Sequence, residues 1–247
     1  MNFFSLFKRN LIYKIKKKID IDQDQYDESS LDELFNTYGS DKANIFKTKN
    51  TNGHGFSEFY VKSLKHLKNK KIKILEIGSY SGASAAAFSK YFINSSIYCF
   101  DVNISNFIYQ SKKIQVFGLD INDENKTKDI LEKINNKSNS DYFDIIIDDG
   151  SHYLGDILLT FKNLFRYVAK NGFYIIEDYK HPNYYMYNRN IEHILIDKTL
   201  KFLEEKKLFV SSVLHHEDQS YLHKNINKIR TYRGNLKDSD ICFIEKN

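Results

Sequence analysis

Two acidic segments, each at the end of an apolar run, carry the residue types best suited to chemistry in this chain. Residues 143–152 read Phe-Asp-Ile-Ile-Ile-Asp-Asp-Gly-Ser-His, and residues 172–178 read Gly-Phe-Tyr-Ile-Ile-Glu-Asp. A continuous apolar run is typical of a strand that is covered on both faces of a parallel sheet. Ligands of open α/β sheets bind at the carboxyl ends of such strands. We therefore expect the two acidic ends to be neighbours at one edge of a sheet.

The acids and the histidine together predict a hard divalent cation with a base beside it. Asp149, Glu177 and Asp178 offer carboxylate oxygens, which Mg²⁺ prefers, and adjacent acidic pairs would repel each other without a cation. His152 follows closely, and an imidazole with a pKa of ~6.5 can accept a proton near neutral pH. Asp148 alternates away from Asp149 along the strand, so we expect it on the cofactor side. The alternative is that these acids are ordinary helix caps or surface residues and that the histidine is a loop residue.

An apolar segment and a glycine turn come earlier in the chain. Residues 72–77 predict a strand that runs into Gly78-Ser-Tyr-Ser-Gly82 and then into a helix of small residues. Glycines let the backbone approach a ligand, and a helix start offers unpaired N–H groups. The next strand ends at Asp101, about 20 residues beyond the turn, where a carboxylate can accept both hydroxyls of a ribose. Asp120 follows a third strand, in the position to meet an adenine amino group. Helix capping is the alternative role for each acid.

The basic charge of the chain is concentrated at its start. The net charge is +5, and residues 1–20 hold six basic side chains against Asp20, so that the remaining residues carry equal numbers of acidic and basic side chains. A domain with no net positive charge argues against a nucleic-acid partner. Residues 2–19 carry apolar side chains at helical spacing and predict an amphipathic helix. This helix either packs on its own domain or a second copy, or lies on an anionic membrane surface or a partner. Residues 20–30 suggest a solvated linker, so we divide the chain into an arm (1–30) and one domain (31–247).

The positions of the cysteines and the lengths of the apolar runs indicate the cellular compartment of the protein. Cys99 and Cys242 lie in apolar, strand-like segments, which favours buried reduced thiols in a cytoplasmic protein over a disulfide framework or a zinc cluster. No apolar run approaches the ~20 residues needed to span a bilayer, and the N-terminus lacks the pattern of a signal peptide.

The remaining elements follow from periodicity and turn residues. Helices are predicted over 31–38, 57–68, 127–134, 157–169 and 190–206, and strands over 97–101, 114–118, 208–214, 229–232 and 241–245. Asn171-Gly172 is predicted to stop the helix that precedes it, and the last two strands are predicted to form an antiparallel edge of a mixed sheet. The tyrosine-rich segment 179–188 is too long and polar for a tight turn, which favours a lid or a wall of the substrate site.

The motifs resemble those of a known enzyme class. Glu76-x-Gly-x-x-x-Gly82 with Asp101 and Asp120 resembles class I S-adenosylmethionine-dependent methyltransferases, over about residues 31–247. Three further motifs occur in order: Tyr38-Gly-Ser-Asp-Lys42 with His54-Gly-Phe, Asp149-Gly-Ser-His152, and Ile176-Glu-Asp178. Together they resemble the metal-dependent O-methyltransferases that modify macrolide sugars, with similar sequences among capsular and lipopolysaccharide sugar methyltransferases. The glycine turn is poorer in glycine than is usual in that family, and the tyrosine segment departs from its pattern.

The resemblance implies an α/β, Rossmann-like fold, with a mixed, mainly parallel seven-stranded sheet, helices on both faces and a reversed last strand. It implies S-adenosylmethionine and Mg²⁺ as cofactors, with the metal on Asp149, Glu177 and Asp178, and with His152 as the base beside a catalytic Asp149. The residues expected to contact the cofactor are Glu76, Gly78, Ser79, Ser81, Gly82, Asp101, Val102, Asp120, Ile121, Asp148 and Lys42. The residues expected to contact the substrate are His54, Tyr179, Tyr184 and Tyr185.

These expectations favour methyl transfer to a sugar hydroxyl, on a sugar, nucleotide sugar or glycan of capsular or other surface polysaccharide synthesis. The enzyme is expected to be a cytoplasmic homo-oligomer, with a peripheral contact at the inner face of the membrane as one role of residues 2–19. Two alternatives remain: a methyltransferase of a small non-sugar hydroxyl compound, and a non-catalytic methyltransferase-fold subunit that the arm tethers to a glycan assembly complex. A nicotinamide oxidoreductase is disfavoured, because the glycine spacing differs from Gly-x-Gly-x-x-Gly.

Overall fold

A seven-stranded sheet forms the centre of the molecule. The computed structural model describes residues 3–25, 29–135, 143–188, 192 and 194–247. The strands are β1 (Ile72–Ile77), β2 (Ser95–Asp101), β3 (Ile114–Gly118), β4 (Phe143–Asp148), β5 (Val168–Ile176), β6 (Ile226–Arg233) and β7 (Asp240–Lys246). Their order across the sheet is β6-β7-β5-β4-β1-β2-β3. The five strands from β3 to β5 are parallel, and β7 runs antiparallel to both β5 and β6. The predicted mixed sheet is confirmed, with β7 inserted inside it and only β6 at the edge.

Helices cover both faces of this sheet. They are α1 (Phe3–Ile15), α2 (Leu31–Tyr38), α3 (Ser57–Leu64), α4 (Ala83–Tyr91), α5 (Glu124–Ile134), α6 (Leu154–Leu164), α7 (His181–Tyr184), α8 (Ile196–Glu204) and α9 (His216–Asn225). Along β4 the side chains of Ile145 and Ile147 pack in the core shared with α2 to α4, whereas Ile146 packs in the core shared with α6, α8 and α9. Burial on both faces explains the unbroken apolar run in the sequence.

The loop that follows α2 is directed toward the sheet by its caps. Ser30 caps α2, and its side chain and that of Glu33 form a reciprocal capping box. Gly39 ends the helix with a φ of 76°, a left-handed conformation that glycine adopts without strain. The chain then turns inward, so that Ser40 and Lys42 are buried.

Three predicted elements were wrong. Residues 208–214 form no strand, because the Gln219 side chain bonds both the N–H (3.0 Å) and the carbonyl (2.9 Å) of Phe209. The helix predicted to reach residue 169 ends at Leu164, and Asn171-Gly172 lies within β5 rather than at a helix end. The helix predicted from Asn190 begins at Ile196, with part of the predicted range outside the described residues.

Residues 20–22, at the start of the segment predicted as a solvated linker, pack on the domain. Residues Ile19–Asp20 pair in parallel with Tyr109–Gln110, and the next residue, Ile21, is fully buried. The Asp22 carboxylate accepts hydrogen bonds from Ser111 and Lys112. The division of the chain at residue 30 stays a prediction.

Cys99 and Cys242 are free and buried, as predicted, and they lie on opposite faces of the sheet. Within the described part of the chain, no helix combines the length and the apolar character needed to cross a membrane.

Candidate active site

A cavity of about 600 Å³ opens at the carboxyl ends of the parallel strands. Its walls come from the loop after α2, from the turn after β1 and from the segments that follow β2, β3 and β4. The lining includes, of the residues predicted at the cofactor, Lys42, Gly78, Ser79, Ser81, Asp101, Val102, Asp120, Ile121 and Asp148, together with Asp149 and His152. One cavity therefore joins the predicted cofactor site to part of the predicted catalytic group.

The glycine turn lies directly against the end of β4. Gly78 has a φ of 82°, and a Cβ built on it would come within 1.9 Å of the Asp149 carbonyl oxygen. The Asp149 N–H donates to the Ile77 carbonyl at 3.0 Å. Gly82 has a φ of 81° and faces the ring of Phe107, 2.4 Å from where a Cβ would lie. Glycine at these positions lets the turn, β4 and the loop after β2 pack closely.

Two acids of the predicted nucleoside site are fixed by backbone amides. Asp101 accepts hydrogen bonds from the N–H groups of Tyr80 at 2.7 Å and Asn103 at 2.5 Å. Asp120 accepts one from the N–H of Asn122 at 3.2 Å. Both acids line the cavity, so their carboxylates are held in place beside the space that a nucleoside would need.

Glu76 does not line the cavity, although the sequence places it among the cofactor contacts. It is fully buried, and burial raises the pKa of its carboxyl. One of its oxygens accepts a hydrogen bond from the Ser84 hydroxyl in the first turn of α4. Through this hydrogen bond, Glu76 connects β1 to the start of α4 beneath the glycine turn.

Lys42 lies between two of the predicted metal ligands. Its Nζ is 2.5 Å from Asp149 Oδ2 and 2.5 Å from Glu177 Oε2, and its side chain is 3% exposed. Burial acts to lower the pKa of Lys42, but the charges of Asp149 and Glu177 outweigh it and raise the pKa well above its usual value. Tyr60 donates to the other oxygen of Glu177. The cation that these two acids require is thus partly supplied by the chain itself.

A second group at the same edge has the composition of a metal site. Asp149, His152 and Asp178 each offer an atom, and these atoms lie within 4.8 Å of one another. Asp178 Oδ1 is buried and, among the described residues, accepts no hydrogen bond, and the His54 ring lies 3.3 Å from it. This oxygen is therefore available as a ligand to a hard cation. Asp149 and Asp178 therefore fit Mg²⁺. The predicted third ligand, Glu177, lies outside this group because Lys42 and Tyr60 hold its carboxylate.

The backbone of this group adopts a sparsely populated conformation. His152 has a φ of 57° and Asp178 a φ of 50°, a left-handed region that costs residues with a Cβ roughly 1–3 kcal/mol. The conformation of His152 is held by Asn188, whose Nδ2 donates to the His152 carbonyl at 2.7 Å. Asn188 also accepts from the Leu154 N–H at 2.9 Å. Strained residues that the surroundings hold in place are concentrated at functional sites.

His54 approaches the same group from the loop before α3. Its Nδ1 lies 3.3 Å from Asp178 Oδ1 and 2.9 Å from the Ser239 hydroxyl. Burial acts to lower the pKa of His54, but Asp178 and Asp41 together raise the pKa to about 9. His54 is therefore a cation at neutral pH beside Asp178.

The tyrosine-rich segment divides into a buried part and an exposed part. Tyr179 is 2% exposed and belongs to the core. Tyr184 donates to Asp240 at 2.7 Å and accepts from Arg233 at 3.1 Å. Neither lines the cavity, because neighbouring strands occupy their hydroxyl groups. Tyr185, the remaining predicted substrate residue of this segment, is 39% exposed.

A continuous series of rings, which we call the ring series, extends from the half-buried His152 and His181 to the exposed Tyr185, Tyr187 and Tyr153. Successive ring centroids are 5.6 Å apart from His152 to His181, 4.3 Å to Tyr185, 5.9 Å to Tyr187 and 6.1 Å to Tyr153. The sequence placed Tyr185 at the substrate and the segment 179–188 in a lid or a wall, but Tyr153 and the supporting role of Asn188 were not predicted. The density of tyrosines in this segment was the available signal; the contact with Tyr153 arises only in the fold.

The chain shares sequence with sugar O-methyltransferases over about half its length. No protein-family model matches it. It is 29% identical over 132 residues to mycinamicin VI 2''-O-methyltransferase of Micromonospora griseorubida, a match that covers 51% of this chain and 31% of the relative. It is 28% identical over 132 residues to demethylmacrocin O-methyltransferase of Streptomyces fradiae, covering 51% of this chain and 32% of the relative. The match thus spans about a third of the length of these relatives.

The structural similarity is more extensive. The structure of MycE methyltransferase from the mycinamycin biosynthetic pathway, in complex with Mg, SAH and mycinamycin VI, superposes with a TM-score of 0.67 and 23% identity, over 90% of this chain and 55% of that one. This chain has the Rossmann-like methyltransferase fold. The fold class predicted from the sequence is confirmed, and the strand order with a reversed β7 is the observation that carries it.

Proposed function

We propose that this chain is an S-adenosylmethionine- and Mg²⁺-dependent O-methyltransferase that acts on a sugar hydroxyl. The observation that carries the proposal is the position of Asp149 and His152 in the cavity that also holds the glycine turn and Asp101. A methyl donor bound at the turn would lie beside the group that can activate a hydroxyl. The sequence relatives, which are named as sugar O-methyltransferases, support the same reaction class.

The glycine turn and the acids after β2 and β3 would hold the cofactor. Gly78 and Ser79 would face its methionine part, Asp101 its ribose hydroxyls and Asp120 its adenine, since all of them line the cavity. S-adenosylmethionine supplies a methyl group on a sulfonium, which is already a good leaving group. What the chain must add is positioning of the hydroxyl in line with that methyl.

Asp149 and Asp178 would hold Mg²⁺ through their carboxylates, which lie within 4.8 Å of each other. The metal acidifies a hydroxyl that it contacts. His54, whose pKa Asp178 and Asp41 raise, would compensate the charge of that carboxylate when no metal is bound. Glu177 would become a third ligand where Lys42 gives up its contact with it.

His152 would accept the proton of the acceptor hydroxyl. Its Nε2 lies 3.7 Å from Asp149 Oδ1, so the imidazolium that forms would have a carboxylate close by. Asn188 holds the backbone of His152 in its left-handed conformation, which directs the ring toward the cavity rather than along α6. A positioned base of this kind contributes about 10²–10⁴-fold to the rate.

The ring series would provide the acceptor surface. The apolar face of a sugar ring packs on aromatic rings, which are large, rigid and polar at one end. Tyr187 is 63% and Tyr153 47% exposed, so these two rings are accessible to an acceptor. We further propose that the acceptor is a nucleotide sugar or glycan of surface polysaccharide synthesis and that the enzyme is a cytoplasmic homo-oligomer. The names of the relatives support only that the acceptor contains a sugar.

The proposal is tested by following labelled methyl transfer from S-adenosylmethionine to a panel of nucleotide sugars, free oligosaccharides and phenols. We expect transfer to a sugar, abolished by EDTA and restored by Mg²⁺, while calorimetry shows S-adenosylhomocysteine binding with and without EDTA. Transfer only to phenols would favour the small non-sugar substrate. No cofactor binding would favour the non-catalytic subunit. Mass spectrometry of the surface glycan, with and without the gene, would then locate the added methyl group.

A further inference from the structure

The N-terminal helix turns its apolar side away from the protein. Phe4 is 78% exposed, Phe7 60%, Leu11 51% and Ile15 76%. Residues three and four apart lie on the same side of a helix, so these side chains form one continuous surface, which we call the α1 stripe. An amphipathic helix that packs on its own domain would bury this side.

The opposite side of α1 is the one that contacts the domain, and it does so largely through polar groups. Arg9 Nη1 donates to the Val102 carbonyl at 3.0 Å. Beyond the helix, Lys18 Nζ donates to the Phe107 carbonyl at 2.7 Å. The ring of Tyr13 packs edge-on against Phe107, with centroids 6.3 Å apart. The arm is thus attached to the loop after β2 while the α1 stripe faces outward.

Basic residues border the stripe. On a helix of 3.6 residues per turn, Lys8 and Lys14 fall on either side of the line from Phe4 to Ile15, and both are exposed. Lys16 and Lys17 follow the helix and are also exposed. Residues 1–20 contain one acid, Asp20, so that the whole net charge of +5 resides in this segment. An exposed apolar stripe between lysines has the composition of a helix that lies in a membrane interface.

We propose that α1 docks the protein on an anionic lipid surface, with the α1 stripe at the boundary of headgroups and acyl chains. Charge complementarity selects this occupant over a second copy. A two-fold contact through the stripe would bring two identical basic segments together, and like charges at close range oppose such a contact. The helix has 13 residues and would therefore extend for about 20 Å in the plane of the surface.

The docked helix would place the cavity close to the lipid. Val102, whose carbonyl Arg9 holds, lines the cavity beside Asp101. The arm is therefore fixed to the rim of the proposed cofactor site rather than to a remote surface. An acceptor carried on a membrane lipid could then reach the site without leaving the surface. The docking does not depend on methyl transfer and is tested separately from it.

The test is sedimentation of the full chain with vesicles of phosphatidylcholine alone or mixed with phosphatidylglycerol. We expect binding only to the mixed vesicles, falling as salt is raised, because exposed charges are screened within about 10 Å at 0.1 M salt. K8Q/K14Q should lower the partition coefficient about 25-fold, from about fivefold for each lysine near an anionic surface. L11E/I15E should abolish binding.

Matched variants elsewhere control for charge and exposure. L208E/V210E places the same change on side chains that are 57% and 76% exposed, and K128Q/K201Q neutralises lysines that are 68% and 70% exposed. Both controls should bind the mixed vesicles as the unmodified protein does, and all four variants should keep its melting temperature. Equal binding by every variant, or no binding by the unmodified protein, would overturn the proposal. A concentration-dependent dimer in light scattering that L11E/I15E abolishes, without vesicle binding, would assign the stripe to a second copy.

Discussion

The two halves of the cavity are built by different means. The nucleoside half (residues 78–82, 101–102 and 119–122) is shaped by backbone: glycines at positive φ allow close packing, and amides hold Asp101 and Asp120. The acid half (Lys42, Asp149 and His152, with Glu177 and Asp178 adjoining the cavity) is built of side chains, and Lys42 pairs with Asp149 and Glu177 from more than 100 residues away. Each half contains strained residues, Tyr80 in the first and His152 and Asp178 in the second, but only Asp178 among these acids has a buried oxygen that accepts no hydrogen bond from the described residues.

This difference indicates how each half responds to its ligand. The acids of the nucleoside half are held by backbone amides without a ligand, so substitutions of these acids should mainly alter the affinity for the cofactor. In the acid half, one buried lysine pairs with two acids and Asp178 Oδ1 accepts no hydrogen bond from the described residues, so substitutions there should couple stability, metal binding and turnover. Substitutions in each half test this contrast.

The largest effect is expected from His152→Ala. Loss of the base should lower kcat by about 10²–10⁴-fold, with binding of S-adenosylhomocysteine unchanged, because the nucleoside half is untouched. His216→Ala, at an exposed histidine of α9, is the control and should retain full activity. Methyl transfer and calorimetry on the same samples measure both quantities. A normal kcat for His152→Ala would mean that His152 is not the base.

The next effect is expected from Lys42→Met. Without the lysine, Asp149 and Glu177 keep an uncompensated charge, which costs about 3–5 kcal/mol of unfolding free energy for a buried pair. Mg²⁺ should restore more stability to this variant than to the unmodified protein, since it binds the same carboxylates. Urea denaturation with and without Mg²⁺ measures this difference.

Lys246→Met is the matched control for the buried lysine. Lys246, near the end of β7, donates to the carbonyls of Phe165, Arg166 and Val168. Its removal should also lower the unfolding free energy, but Mg²⁺ should not restore it. Equal rescue of both variants would mean that the metal acts elsewhere.

A smaller effect, confined to the cofactor, is expected from Asp101→Asn. Loss of a charged hydrogen bond to a ribose hydroxyl costs about 1.5–3 kcal/mol, or about 10–150-fold in the affinity for S-adenosylhomocysteine, with Mg²⁺ affinity unchanged. Asp123, which caps α5 through the Lys126 N–H, is the control for an acid that only caps a helix. If Asp101→Asn bound the cofactor normally, capping would be the sole role of Asp101.

The smallest effect concerns the contact between the halves. Gly78→Ala would place a methyl group 1.9 Å from the Asp149 carbonyl oxygen at a φ of 82° and should cost about 1–3 kcal/mol, measured as unfolding free energy. Gly150→Ala is the control, since its nearest neighbour lies at 3.2 Å and is the end of a side chain. Both variants having the same stability would contradict the close packing of the turn on β4.

The sequence predicted most of the features that depend on the local pattern of residue types. The apolar runs of β1 and β4, the turn at Gly78 and the edge formed by late strands were all predicted. Residues 208–214 were predicted wrongly because a run of apolar residues cannot reveal that a side chain such as Gln219 replaces the strand partner. Helix α9 was missed because its polar sequence carries little hydrophobic periodicity.

Contacts across long separations were the part that sequence could not provide. Lys42 was expected at the cofactor, but its ion pairs with Asp149 and Glu177 span more than 100 residues. The repulsion between the acidic pairs predicted a metal cation, but it could not show that Lys42 supplies a positive charge between Asp149 and Glu177. Tyr153 joined the ring series only because the fold brings it to Tyr187.

The central claim is that Asp149 and Asp178 hold a divalent metal beside His152. Calorimetric titration of Mg²⁺ into the protein saturated with S-adenosylhomocysteine tests it most directly, with Asp149→Asn/Asp178→Asn as the comparison. We predict one saturable site in the unmodified protein and none in the double variant, which should still bind the cofactor. The same Mg²⁺ isotherm for both proteins, or no binding to the unmodified one, would contradict the claim.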